Sequence, residues 1–287
     1  MNILVIGYAN KKCANVYNWE TSMKKYGYKY IVIGDGEKWE NFMTKIRSCR
    51  KYLVDPEGGG EYDLVIVCDV FDIYACAPSS ELEKRYKAFD CDLLVGAEEL
   101  LLGQNIPVTE YWKHHHCKNH RKYVNAGFMM GSPRKLIDLY DFILDLGIKD
   151  DQVALAHYCN RYPDRIALDQ EQTIVCNVVM LTNVFHVTSQ FLRPRWSKKN
   201  VKSLFVHTPG MMADFSQRYV EFGRDILGKD FILPSNNYRS ILCSALTVGF
   251  LTAVFILLIY FNVQLGILFL VVATVVAMYV FTNMLNL

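Results

Sequence analysis

Charge is missing from one end of this chain. Of its 287 residues, the last 47 (241–287) contain no Asp, Glu, Lys or Arg, and all 31 basic and 29 acidic residues lie at or before Arg239. That absence leaves residues 1–239 to carry any chemistry. A large excess of one sign is absent too: the net charge of +2 argues against nucleic acid as the main partner. The cysteines show no paired spacing. Nine of them, an odd number scattered singly, look like reduced thiols and not a disulfide framework. A basic stretch ahead of an apolar one is lacking at the N-terminus, where Ile3–Gly7 is too short for an export signal. Gly34-Asp35-Gly36 lacks the third glycine of a dinucleotide fingerprint, and no Lys-Ser/Thr follows Gly58-Gly59-Gly60 as a phosphate loop would require. No internal repeat or low-complexity linker interrupts residues 1–239.

What the tail has instead is two apolar runs, 241–261 and 265–284, punctuated by Asn262 and Gln264. Each approaches the roughly 20 residues that cross a bilayer core as a helix. Buried helices of water-exposed domains usually keep a polar stripe, and these runs have none. The expectation is a two-helix transmembrane hairpin over 240–287, preceded by a juxtamembrane connection over 216–239 with an interfacial helix near Tyr219–Asp230. Lys229 and Arg239 flank the first run, so the positive-inside bias puts the head in the cytosol with membrane lipid as a partner.

The head, 1–215, alternates short apolar runs with amphipathic stretches. Strands are expected at Ile3–Ile6, Tyr30–Ile33, Leu64–Cys68, Leu93–Gly96, Tyr123–Gly131, Ile166–Leu168 and Ser203–Val206. Helices are expected at Val16–Tyr26, Trp39–Leu53, Ser79–Tyr86, Pro133–Leu146 and from Asp150 to about Cys159. This is the pattern of an α/β domain with a mostly parallel sheet flanked by helices. Ligands of such sheets bind beyond the carboxyl ends of the strands. There the run Leu64–Cys68 leads into Asp69-Val70-Phe71-Asp72.

Two carboxylates in one turn can share a hard divalent cation, although Asp is also a common turn residue. His207 follows the apolar run 204–206 and precedes Thr208-Pro209-Gly210, an imidazole at a strand end. Imidazole suits Mn²⁺ better than Mg²⁺. Asp150 and Asp151 are adjacent and point apart on a helix, so one can cap it while the other faces a ligand. Asn125 is a polar residue in a strand, followed by the small residues Ala126 and Gly127 that leave room beside it. Taken singly, each has an ordinary structural explanation. The run His114-His115-His116-Cys117 reads as a solvated loop, because consecutive histidines do not converge on one tetrahedral ion without strain. The basic stretch 193–199 reads largely the same way.

Together these residues stop being ordinary. The order Asp69-Val70-Phe71-Asp72, Gly96-Ala97-Glu98-Glu99, Val124-Asn125-Ala126-Gly127, Asp150-Asp151-Gln152 and Val206-His207-Thr208-Pro209-Gly210 resembles the glycosyltransferase domain of the procollagen lysyl hydroxylases and related collagen glycosyltransferases. The resemblance runs from Ile3 to about Gly210. It implies a GT-A-like fold holding Mn²⁺ and a UDP-sugar, with Asp69, Asp72 and His207 as metal ligands. It implies Trp39 as the stacking platform for uracil, with Asp69 and Phe71 also at the nucleotide. Phe71 stands where the family usually has Tyr, so one hydroxyl contact is lost and the stacking surface kept. Glu98, Asn125, Asp150 and Asp151 match residues near the sugar and the acceptor.

The activity this implies is metal-dependent transfer of a hexose from UDP-glucose or UDP-galactose to a hydroxyl of a glycan, lipid-linked or protein acceptor. The chemistry agrees, since a divalent ion stabilises charge on the departing nucleotide and nearby carboxylates assist at an oxocarbenium-like sugar centre. The expectation is that the family's hydroxylase modules are missing, since residues 211–287 leave no room for them. The rival expectation is a non-catalytic, membrane-anchored protein that binds a nucleotide-sugar or partner through a degenerate site. The joint presence of Asp69, Asp72 and His207 counts against it. A nucleotide-sugar pyrophosphorylase is disfavoured because Gly7-Tyr8-Ala9-Asn10 lacks that class's glycine-rich basic loop.

Overall fold

The structure, a computed structural model, describes residues 1–55, 58, 61–98, 123–178, 203–209 and 217–234. All lie in one compact unit, Met1–Pro234. Its elements in order are β1 (Ile3–Tyr8), α1 (Ala14–Lys25), β2 (Tyr30–Ile33), α2 (Met43–Val54), β3 (Leu64–Asp69), β4 (Ile73–Ala75), α3 (Leu82–Lys87), β5 (Leu93–Glu98), β6 (Tyr123–Gly131), α4 (Pro133–Asp145), α5 (Asp151–Arg161), β7 (Ile166–Leu168), β8 (Val175–Asn177), β9 (Phe205–His207) and α6 (Gln217–Leu227).

The six-stranded sheet has the order β2-β1-β3-β6-β5-β7. Successive side chains of a strand point to opposite faces, and β3 shows the consequence. Val65 and Val67 enter a core with Ile46 and Cys49 of α2 and Leu136, Leu139 and Tyr140 of α4. Leu64, Ile66 and Cys68 enter a second core with Trp19 and Met23 of α1. An apolar run with no polar alternation is what a strand covered on both faces requires.

Two sequence expectations are refined here. The sheet is mixed: β6 runs antiparallel to both β3 and β5, while the pairs β1–β2, β1–β3 and β5–β7 are parallel, so the other five strands share one direction as a mostly parallel sheet requires. Hydropathy fixes that β6 is buried but carries no information on its direction. Helix α2 also starts at Met43 and not at Trp39. Thr44 Oγ1 accepts hydrogen bonds from the backbone N–H of Glu40 and of Asn41, and Asn41 Oδ1 accepts from the N–H of Met43. These bonds hold the preceding segment in a turn and leave Trp39 ahead of the helix.

A second sheet, β4-β9-β8, was only partly expected, since three-residue strands such as β4 and β8 are too short to show alternation. It positions the site, because β4 and β9 pair antiparallel with Ile73 opposite His207, and β8 and β9 pair parallel with Asn177 opposite His207. Helix α6 covers it: Tyr219, Phe222 and Ile226 are buried with Tyr74, and the Tyr74 and Tyr219 rings stack with centroids 4.8 Å apart. The segment read as an interfacial helix therefore packs into the head.

The membrane expectation is corrected. Among the described residues no helix is long and apolar enough to cross a membrane. The hairpin expected over 240–287 lies outside the described residues, and so do the His114–His120 cluster and the basic stretch 193–199. The multi-pass localisation and the lipid partner inferred from that hairpin have no support in the structure.

Candidate active site

Asp69 ends β3, Asp72 immediately precedes β4, and His207 ends β9. The antiparallel pairing of β4 with β9 joins the last two: the Thr208 N–H donates to the Asp72 carbonyl at 2.9 Å, and its hydroxyl to the same oxygen at 3.2 Å. One ligand atom from each of Asp69, Asp72 and His207 lies within 4.8 Å of the others. Asp72 and His207 are buried, while Asp69 is partly open to solvent.

The donor atoms fit a cation. His207 Nε2 and Asp72 Oδ1 face each other at 3.3 Å, yet neither atom has a hydrogen-bond partner among the described residues. Buried polar atoms of this kind are normally satisfied. Two carboxylate oxygens and an imidazole nitrogen form a set suited to a divalent cation. Space is kept for it by Gly127. A Cβ there would lie 2.4 Å from His207 Cε1, 2.8 Å from Asp69 Oδ2 and 2.9 Å from Asn125 Oδ1, so no larger residue fits without displacing the candidate ligands.

The electrostatics are those of crowded acids. Burial pushes the Asp72 carboxyl pKa up, and the nearby His207 offsets only part of that. Burial pulls the His207 pKa down, but Asp72, Asp69 and Glu98 outweigh it and the net shift is upward. A cation among these groups would relieve both.

The remaining candidates fall into two groups. Glu98 and Asn125, both buried, are paired across β5 and β6: the Asn125 amide donates to Glu98 Oε1, and Asn125 Oδ1 accepts from the Gly127 N–H at 2.8 Å. Burial raises the Glu98 pKa, with the Asn125 bond and His207 opposing it. Asp150 and Asp151 separate as the helix geometry requires. Asp150 caps α5, its Oδ1 accepting from the N–H groups of Gln152 and Val153 at 3.0 Å each. Asp151 turns inward and is buried.

What holds Asp151 is Lys45, a residue sequence reasoning missed. Its ammonium lies 2.7 Å from Asp151 Oδ2 and 2.9 Å from Asp69 Oδ1, and it also donates to the Ala126 carbonyl at 3.2 Å. Burial alone would depress the Lys45 pKa, but the two carboxylates dominate and hold it fully charged. Among the basic residues of 45–51, Lys45 reads as part of a solvated face. The available signal was its position three residues after Phe42 and four before Cys49, along the apolar stripe of the helix.

Trp39 is separate but connected. The residue is 42% exposed, and its ring sits against Tyr8 with centroids 5.8 Å apart. Tyr8 is in register with Asp69 across β1 and β3, so the open indole lies one strand from the candidate metal ligands. Gly34, at φ +94°, allows this packing, since a Cβ there would meet the Tyr8 ring at 2.4 Å. Phe71 packs against the α1-side core, and its carbonyl accepts from the buried Asn15 amide at 2.7 Å.

The chain is similar to several known proteins. The model of the PLOD GT domain family matches residues 1–212. An uncharacterized protein of Acanthamoeba polyphaga mimivirus is 25% identical over 175 residues, covering 58% of this chain. The matched part spans only 37% of that relative's length. A crystal structure of a glycosyltransferase involved in glycosylation of the major capsid of PBCV-1 superposes with a TM-score of 0.48 at 14% identity, covering 74% of this chain and 95% of that one.

Proposed function

The chain belongs to the PLOD GT domain family, and from that premise we propose that it is a glycosyltransferase that moves a hexose from UDP-glucose or UDP-galactose to a hydroxyl of a glycan or protein, with Mn²⁺ held by Asp69, Asp72 and His207. The observation that carries the metal assignment is the convergence of those three side chains around two buried atoms, Asp72 Oδ1 and His207 Nε2, that have no hydrogen-bond partner among the described residues.

When bound there, the ion would supply Lewis-acid stabilisation of the charge that develops on the diphosphate. The chain's own residues do the rest. Asp69 and Asp72 bring negative charge to the nucleotide's diphosphate end, which they can approach only through a cation. Trp39 offers an open aromatic face for uracil, with Phe71 in the loop between the two aspartates. Glu98, oriented by Asn125, is a buried carboxyl whose raised pKa suits it to take up the acceptor's proton. Asp151, held by Lys45, presents a fixed charge toward the sugar. Asp150 contributes chiefly by capping the helix that carries Asp151.

The test is release of UDP from UDP-glucose and UDP-galactose by the full chain, with and without chelator. Release that disappears on chelation and returns with Mn²⁺ is expected. Release indifferent to chelator would remove the metal from the reaction, and saturable UDP binding without turnover of either sugar would remove these donors.

A further inference from the structure

We propose that Asn177 is a positioning residue for the metal centre: it fixes the ring of His207 in the Nδ1–H form, so that Nε2 keeps its lone pair for the cation. This rests on the metal assignment above and goes beyond it, because Asn177 touches neither the cation nor the donor.

The amide of Asn177 can be oriented from its partners. It is buried at the end of β8, and its Nδ2 lies 3.0 Å from the Ala97 carbonyl, which only accepts. The nitrogen therefore belongs on that side, and the oxygen faces His207 Nδ1 at 2.7 Å. An amide oxygen cannot donate, so Nδ1 must carry the hydrogen. Of the two neutral tautomers only the one with a bare Nε2 remains, and Nε2 is the atom aimed at Asp72. Without Asn177, the neighbouring carboxylates would favour a hydrogen on Nε2, the form that cannot ligate a cation through that nitrogen.

The seat for this amide is built into the backbone. The pairing of β5 with β6 shifts register between Val95 and Gly96, and a Cβ on Gly96 would lie 2.8 Å from Asn177 Nδ2. Parallel pairing sets Asn177 directly opposite His207, and the Val178 N–H donates to the His207 carbonyl at 2.7 Å. Backbone and side chain thus fix the imidazole together. Partners of this kind orient metal-bound histidines, and their loss typically weakens metal affinity by about 10–100-fold.

The experiment compares the full chain with N177L and N177D, titrating Mn²⁺ alone and reading free Mn²⁺ by electron paramagnetic resonance. Both variants lose the bond to Ala97, but only the aspartate keeps an acceptor for Nδ1–H. N177L should weaken Mn²⁺ binding by about 10-fold or more, and N177D should stay within about threefold of the parent. Equal weakening in both, or none in N177L, would overturn the proposal. A second reading needs no metal and covers an N177L that does not fold. Nitrogen-15 NMR of histidine-labelled wild type, taken at alkaline pH where the ring is neutral and with His207 identified by its loss in H207Q, should show the Nδ1–H form, and an Nε2–H form would also overturn the proposal. Failure of the wild type to bind Mn²⁺ at all, with the Nδ1–H form present, would defeat the metal assignment itself, and the role of Asn177 in metal binding with it.

Discussion

Replacing Lys45 with methionine should destabilise the head and silence it together. The ammonium is buried between Asp69 and Asp151, and methionine keeps the length of the stem while removing the charge. Two acids are then left facing each other with no cation. Breaking a buried ion pair by removing one partner costs about 3–5 kcal/mol. At roughly 2–4 °C per kcal/mol for a domain of this size, the midpoint of thermal unfolding should fall by about 6–20 °C. Burial already raises the Asp151 pKa and Lys45 is the main group opposing that, so in the variant Asp151 shifts further toward its neutral form. The double variant Lys45→Met with Asp151→Asn removes the stranded charge and should recover most of the lost stability without recovering activity. Purely additive destabilisation in the double variant would show that the two residues are not coupled. Differential scanning calorimetry of the parent, the two single variants and the double variant measures this.

Asp72→Ala should act in the opposite sense on stability. Asp72 is buried, its Oδ1 has no hydrogen-bond partner among the described residues, and burial pushes its pKa up. The backbone bonds from Thr208 to the Asp72 carbonyl survive the substitution. Removing the carboxylate from the metal-free protein should leave its melting temperature unchanged or slightly raised. Activity should collapse, because the cation loses one of three ligands. A loss of about 10³-fold in metal-dependent UDP release corresponds to roughly 4 kcal/mol of transition-state stabilisation. The same variant should lose the rise in melting temperature that Mn²⁺ gives the parent, since a ligand that binds only the native state stabilises by mass action. Undiminished UDP release would remove Asp72 from the site. A large drop in metal-free stability would make its role structural.

The pairing of these two outcomes reflects how the site is built. Lys45 is a stabilising cation inside a cluster of acids, and Asp72 is a cost to the fold that a bound cation would offset. Functional sites often carry such local conflicts.

Much of this head can be read from the residues alone, for physical reasons. Strand β3 is covered on both faces, so its five leading residues are uniformly apolar and the acid that ends it stands out. The split of Asp150 from Asp151 follows from helix geometry, and the structure shows the first as the cap and the second turned inward. The meeting of Asp72 with His207 is different. They are 135 residues apart and are joined through three-residue strands that carry no periodicity, so only the resemblance between ordered motifs anticipated it. The direction of β6 was hidden because burial looks the same in either direction. Lys45 and Asn177 were passed over because a lysine in a basic stretch and an asparagine after an apolar run are common features of surfaces and turns. Both proved to be buried partners of candidate ligands. Composition favoured a membrane reading of the uncharged tail, and no described helix has the length and apolarity to support it.

On the proposed function, Asp69, Asp72 and His207 together would grip one divalent cation beside a nucleoside diphosphate. Crystals of the full chain soaked with Mn²⁺ and UDP, measured for anomalous scattering at the manganese edge, test it directly. The expected result is a single strong peak at roughly 2 Å from a carboxylate oxygen of Asp69, one of Asp72 and Nε2 of His207, next to the diphosphate. UDP bound on Trp39 with no manganese peak among those three side chains would contradict it.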